Sequence, residues 1–387
     1  MSETIVYVDR KHTDCEKWDE LTERYGRDDL LSMWVADMDF RVADCVTEAL
    51  RKHVDSGVFG YYKVPDHYHE AFIDWERRRH GFAVERDWIR YSPGVVSAIN
   101  WCVQAFTKAD DAIIVLTPVY YPFMNAAKNG GRKLVCCDLQ RVDGVYRVDF
   151  EKFEREIVEN DVRMFILCSP HNPVSRVWTR AELENMLAIC RRHGVLVLSD
   201  EIHHDFTFDG HVHTPTLSVP GYEDMVIMMT AATKTFNLAA CKNSFVVIPD
   251  ENLRRIYDRY TATVCCNDGN PFGYIAVEAA YRGGEEWLAQ IEQIIYGNYV
   301  YMRDALLAAL PKLVIPPLEG TYLLWIDFSA YLTKDNAAAF MEDTCHLAFD
   351  HGDWFAQQGY ETCMRVNLAT RRENVEQAVN AIIKNLK

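Results

Sequence analysis

No apolar run in this sequence approaches the ~20 residues that a helix needs to cross a bilayer. The amino terminus, Met1 to Asp9, mixes charge with short apolar runs and has no signal-peptide core. These absences predict a cytoplasmic protein with no membrane span. Positive charge is also scarce: 41 Lys and Arg stand against 57 Asp and Glu, a net charge of −16. That balance argues against the basic face of a nucleic-acid binder and says little about substrate. No C-x-x-C spacing and no zinc-like cysteine–histidine set occurs among the 12 cysteines. Several lie on apolar segments (Cys102, Cys168, Cys190) or as neighbours (Cys136-Cys137, Cys265-Cys266), and they read as reduced core thiols rather than a metal site or a catalytic thiol. Internal repeats and low-complexity linkers are missing too. What remains is 387 residues, 49% apolar and 25% charged, an ordinary globular-enzyme balance with enough chain for a large core.

The middle of the chain alternates short apolar runs with helical patterns. Ala112–Thr117, Met164–Cys168, Val195–Ser199, Val226–Met229 and Ser244–Ile248 read as buried strands. Helical spacing starts near Pro122 and again over Thr179–His193, where Thr179 and Glu182 form a capping box. Strands this apolar, separated by helices, predict an α/β fold with a mostly parallel sheet covered on both faces. Beyond it, Trp287–Leu310 and Arg372–Leu386 read as helices and Tyr322–Ile326 as a strand, giving a smaller α+β domain. The expected division is an N-terminal segment over 1–45 that joins the small domain, a large domain over 46–285 and the small domain over 286–387.

In parallel sheets, ligands bind beyond the carboxyl ends of the strands. Tyr120, Asn172, Asp200 and Lys234 fall at four such ends. Lys234, flanked by threonines, is either a solvated charge or an amine that condenses with an aldehyde cofactor. Asp200 either caps the next helix or makes a charge-assisted hydrogen bond that keeps a pyridine nitrogen protonated. As a pair they point to pyridoxal phosphate. Asn172 is either a turn residue or an amide donor to the cofactor's phenolic oxygen. The turn Ser92-Pro-Gly94 opens a helix whose free N–H groups suit a phosphate, and Gly94 permits close approach. Thr230 and Thr233 offer hydroxyls to the same anion. Tyr120 is either core or a ring that stacks on the cofactor, with Tyr121 as its competitor. Arg365, between apolar residues, is either half of a structural ion pair or a fork for a substrate carboxylate.

The motifs Met33-Trp-Val-Ala-Asp-Met-Asp-Phe40, Phe59-Gly-Tyr61, Pro93-Gly-Val-Val96, Thr117-Pro-Val-Tyr120, His171-Asn-Pro, Ser199-Asp-Glu-Ile-His203, Thr233-Lys-Thr-Phe-Asn237, Asn270-Pro-Phe-Gly273, Thr321-Tyr-Leu-Leu-Trp325 and Arg365-Val-Asn run nearly end to end. In these the chain resembles the fold-type I pyridoxal-phosphate enzymes, and within them the MalY/PatB group of cystathionine β-lyases, or C–S lyases. The resemblance implies a mostly parallel central sheet of the seven-stranded type. It implies that Lys234 carries the cofactor, Asp200 holds the ring nitrogen, Asn172 the phenolic oxygen, and that Tyr120 stacks on the ring. Gly94, Val95, Val96, Thr230 and Thr233 would hold the phosphate, His203 would join the cofactor site, and Arg365 would take the substrate carboxylate. Tyr61 would reach the phosphate of a neighbouring subunit, implying a homodimer. The Thr117-Pro118 and Asn172-Pro173 bonds are expected to be cis in this fold.

Three positions depart from the pattern. Asn-Pro-x-Gly becomes Asn172-Pro-Val-Ser175, constraining the turn. Ala240 adds bulk where glycine is usual after the lysine. Lys242 stands where aminotransferases commonly place a phosphate-binding arginine. The implied activity is β-elimination from L-cystathionine or a related cysteine S-conjugate to a thiol, pyruvate and ammonia, a step in sulfur amino acid metabolism. A class I/II aminotransferase acting on a small amino acid uses the same residues, and a regulatory binding protein with incidental lyase activity is a further alternative.

Overall fold

The structure, a computed structural model, describes residues 4–386. Seven strands form the central sheet: β1 (Ile89–Ser92), β2 (Ala112–Thr117), β3 (Lys133–Asp138), β4 (Val162–Cys168), β5 (Leu196–Asp200), β6 (Val226–Thr230) and β7 (Ser244–Val247). Their order is β1-β7-β6-β5-β4-β2-β3. All neighbours run parallel except β7, which is antiparallel to both β6 and β1. The apolar runs of the sequence therefore become central strands. The two strands read only from the structure, β1 and β3, lie at the sheet edges.

Alternation of side chains across each strand builds two cores. Ile113, Val115, Met164, Ile166 and Leu198 face one layer, which also buries Ala98, Ile99, Cys102 and Phe123. Ile114, Leu116, Phe165, Leu167 and Val197 face the opposite layer with Phe72, Trp75, Leu183 and Leu187. The helices that supply these residues are α1 (Asp66–His80), α2 (Val95–Phe106), α3 (Tyr121–Asn129) and α4 (Arg180–His193). The capping box read at Thr179 is present: Thr179 Oγ1 accepts from the Glu182 N–H at 3.2 Å, and the Glu182 carboxylate accepts from the Thr179 N–H at 2.8 Å. Gly194 closes α4 in the left-handed region at φ 66°.

A short helix α5 (Ala232–Thr235) follows β6, and a long α6 (Glu285–Ala309) follows the large sheet. The chain ends in a three-stranded antiparallel sheet and a final helix α7 (Arg372–Leu386). That sheet is ordered β8-β10-β9, with β8 Leu323–Asp327, β9 Asp350–His351 and β10 Cys363–Asn367. Near the amino terminus, Leu31–Ser32 pairs in parallel with Leu347–Ala348. Cis peptide bonds occur at Thr117-Pro118 and Asn172-Pro173, and also at Ser169-Pro170. Cys102, Cys168 and Cys190 are buried as read, whereas the Cys265-Cys266 pair is exposed rather than core. Among the described residues, no helix is long and apolar enough to cross a membrane.

Candidate active site

Register brings the strand-end residues together. Cys168 pairs with Asp200, and Asp200 with Met229, so the segments that leave β4, β5 and β6 emerge side by side. They open on a cavity of about 440 Å³, a volume suited to a small cofactor and its substrate. Gly94, Val95, Val96, Tyr120, Asn172, Asp200, His203, Thr233 and Lys234 all line it. Tyr121 does not; its ring packs edge-on against Phe355, which leaves Tyr120 as the aromatic wall.

Lys234 donates from Nζ to the Ala36 carbonyl at 2.5 Å. Burial lowers its ammonium to about 8, with Arg365 pushing the same way and Asp37 and Asp200 opposing. Asp200 responds in the opposite sense: burial raises its carboxyl to about 7, against the Ile202 N–H that donates to its Oδ1 at 3.0 Å and against Lys234. His203 is held well below the ordinary imidazole range by burial and by the charges of Lys234 and Arg365. Its ring is therefore neutral, it packs edge-on against Tyr322 with centroids 5.5 Å apart, and its Nδ1 has no partner among the described residues.

The opposite end of the cavity suits an anion. Gly94 precedes α2 with no side-chain cap, so the first N–H groups of the helix at Val95, Val96 and Ser97 are left for a ligand. A Cβ built on Gly94 would meet nothing within 4 Å, so the space in front of it is open. Lys242 lines the same cavity. An anion cradle, a lysine of lowered pKa and a buried carboxylate in one cavity are the donor set that pyridoxal phosphate requires.

Three expected residues lie elsewhere. Thr230 is fully buried, and its hydroxyl donates to the Glu201 carbonyl at 3.2 Å and contacts His204, so it faces away from the cavity. Side chains of a strand alternate between faces, and Thr230 is on the wrong one. Ala240 is exposed and does not line the cavity; the neighbouring Ala239 does. Tyr61 is fully exposed, beside exposed Val58 and Phe59. Arg365 reaches the site indirectly. It donates to Asn172 Oδ1 at 3.2 Å and to the Trp34 carbonyl at 2.9 Å, and forms a buried ion pair with Asp350. Its Nε has no partner among the described residues. Ser175 does constrain its turn: it takes φ 61°, in the region that favours glycine, while its hydroxyl donates to the Leu323 carbonyl at 2.6 Å.

Sequence reasoning missed the part played by the segment 33–40. Asn237 Nδ2 donates to the Met38 and Phe40 carbonyls at 3.0 Å each, and its Oδ1 accepts from the Met38 N–H at 3.0 Å. Asn367 Nδ2 donates to the carbonyls of Val35 at 2.5 Å and Asp37 at 2.6 Å. The Tyr322 hydroxyl shares the Ala36 carbonyl with Lys234. This segment therefore forms a strap across the cavity, with Ala36 in its wall. The motif itself was visible, but backbone carbonyls acting as acceptors leave no mark in a sequence.

The sequence profile of the family described as aminotransferase class I and II matches residues 28–382. The chain is 39% identical over 328 residues to cystathionine beta-lyase PatB of Bacillus subtilis, covering 84% of this chain and 85% of that protein. It is 30% identical over 383 residues to protein MalY of Escherichia coli, covering 97% and 96%. Among solved structures, cystalysin from Treponema denticola, which contains a pyridoxal 5'-phosphate cofactor, superposes with a TM-score of 0.94 at 32% identity, over 99% of this chain and 98% of that one.

Proposed function

The chain belongs to the aminotransferase class I and II family, and from that premise we propose that it is a pyridoxal-phosphate-dependent carbon–sulfur β-lyase. The observation that carries the reading is Lys234: an amine lowered to about 8 by burial, at the wall of a cavity that also holds Asp200 and an anion cradle. The similarity to a cystathionine β-lyase over most of the chain favours elimination over transamination.

When bound, the cofactor supplies an aldehyde that captures the substrate amine and a ring that withdraws electrons from the substrate's α-carbon. Asp200 would hold the ring nitrogen in its protonated form. Val95, Val96, Gly94 and Lys242 would hold the phosphate, Tyr120 would stack on the ring and Asn172 would donate to its phenolic oxygen. Lys234 takes the α-proton as general base, a role worth roughly 10²–10⁴-fold in rate. The thiolate then leaves the β-carbon, favoured because thiols are acidic, with pKa about 8.5. Water completes the balance, so cystathionine gives homocysteine, pyruvate and ammonia. Arg365, oriented by Asp350 and the Trp34 carbonyl and joined to the cavity wall through Asn172, would take the substrate carboxylate.

The exposed apolar stretch at Val58, Phe59 and Tyr61 supports a homodimer in which Tyr61 reaches the partner's phosphate site. The large domain over 46–285, with 1–45 joined to the domain over 286–387, and a cytoplasmic location complete the proposal. The test of the lysine assignment is Lys234→Ala: thiol release from L-cystathionine falls by at least roughly 10²-fold, and the visible absorbance of the lysine-bound cofactor disappears. An unchanged absorbance sinks the assignment.

A further inference from the structure

A second polar cluster lies among the elements behind the cavity, and the proposed reaction does not use it. Glu76 and His80 come from α1; Glu201, His204, Asp205 and His213 come from the segment that leaves β5. Most members are satisfied. Asp205 accepts from Trp75 Nε1 at 3.0 Å and Thr235 Oγ1 at 2.6 Å, and lies 3.0 Å from His80 Nε2. Glu201 accepts from Ser199 Oγ at 2.8 Å and the Thr216 N–H at 2.9 Å, and lies 2.7 Å from His213 Nε2.

Glu76 is the exception. Its side chain is completely buried, and neither carboxylate oxygen has a hydrogen-bond partner among the described residues. Leaving such a group unsatisfied is costly. What faces it is imidazole: His204 Nε2 lies 3.7 Å from Glu76 Oε1 and 3.2 Å from Asp205 Oδ2. One ligand atom each from Glu76, His80 and His204 lies within 4.8 Å of the other two, and the same holds for Glu201, His204 and His213. The His80 and His204 rings are 4.2 Å apart, and each is 5.7 Å from His213.

The local chemistry fits a cation. Glu76 and His80 are four residues apart on one helix and so share a face, the spacing that lets two side chains of a helix bind one metal ion. Zinc bonds of ~2.0–2.1 Å place tetrahedral ligand atoms roughly 3.3 Å apart, so the ligand atoms here, all within 4.8 Å of one another, close in slightly around an ion. Charge argues the same way. Three buried carboxylates, Glu76, Glu201 and Asp205, share this region. Among the described residues, the one guanidinium or ammonium paired with any of them is Arg79, 3.8 Å from Asp205 and itself paired with Glu292.

We infer that Glu76, His80 and His204 bind one divalent transition-metal ion of the zinc class, a structural site that ties α1 to the segment carrying Asp200 and His203. Imidazole with carboxylate is a donor set zinc accepts. The site does not depend on which reaction the cavity performs.

The test uses the holoenzyme carrying Cys265→Ser and Cys266→Ser, so that exposed thiols hold no metal. It is equilibrated with zinc, passed through gel filtration in a weak chelator, and analysed for metal and thermal midpoint with and without EDTA. The same protein with Glu76→Gln is compared; glutamine keeps the shape of a protonated glutamate. The expected result is about one zinc per chain in the parent and close to none in Glu76→Gln, with a midpoint that falls on chelation only in the parent. His204→Gln is the second variant, with the same loss expected. A parent that retains no zinc, or a folded variant that retains as much as the parent, overturns the inference.

Discussion

Burial lowers Lys234 to about 8 and raises Asp200 to about 7, so both groups titrate near neutral pH in the protein without its cofactor. That is the range in which a base and an electrostatic anchor are most useful. The shift of Asp200 has a consequence for stability. Its carboxyl binds a proton more tightly folded, at about 7, than unfolded. Its stabilising effect is thus complete below the ordinary Asp range and is lost as pH rises through about 7. In the cofactor-free protein, Asp200→Asn removes this loss, so thermal midpoints from pH 4 to 7 fall less for the variant than for the wild type. Parallel profiles contradict the assignment. That Lys234 and Asp200 share one cavity was legible in the sequence because each lies at or just after the end of an apolar strand. Thr230 was misplaced because a strand residue two positions from a turn gives no sign of which face it takes. Lys242 was visible as a departure, and its place in the cavity wall came only from the fold of the turn after α5.

At the scale of elements, the strap over residues 33–40 does the most to shape the site. Two asparagines from different parts of the chain hold its carbonyls, and Arg365 holds a third point. Asn237→Ala removes three of these hydrogen bonds, each worth about 1 kcal/mol. The expected outcome is faster hydrogen exchange at Met38 and neighbouring amides and a raised KM for cystathionine, with the midpoint of global unfolding lowered by much less than loss of a core residue would cause. Unchanged exchange at the strap would show that Asn367 and Arg365 suffice. The central strands and the capping box of α4 were readable because burial on both faces and a local side-chain exchange leave direct marks. The direction of β7 was not, because hydrophobic periodicity carries no polarity. The edges β1 and β3 escaped because charged residues, half-buried Arg90 and exposed Lys133, interrupt their apolar pattern.

At the scale of the molecule, the exposed Tyr61 joins the question of assembly to that of catalysis. If Tyr61 serves the partner's site, Tyr61→Phe and Lys234→Ala chains mixed and re-associated regenerate one intact site in each mixed dimer. Activity of the mixture then exceeds the average of the two parents, and no gain places Tyr61 outside the partner's site. The central claim is that Lys234 serves elimination and does not return the proton to complete an amino transfer. The most direct measurement is product formation by the holoenzyme from L-cystathionine with no keto acid present. The predicted result is thiol and pyruvate released in equal amounts over many turnovers. Turnover that stops after a single round and resumes only when a keto acid is added would contradict it.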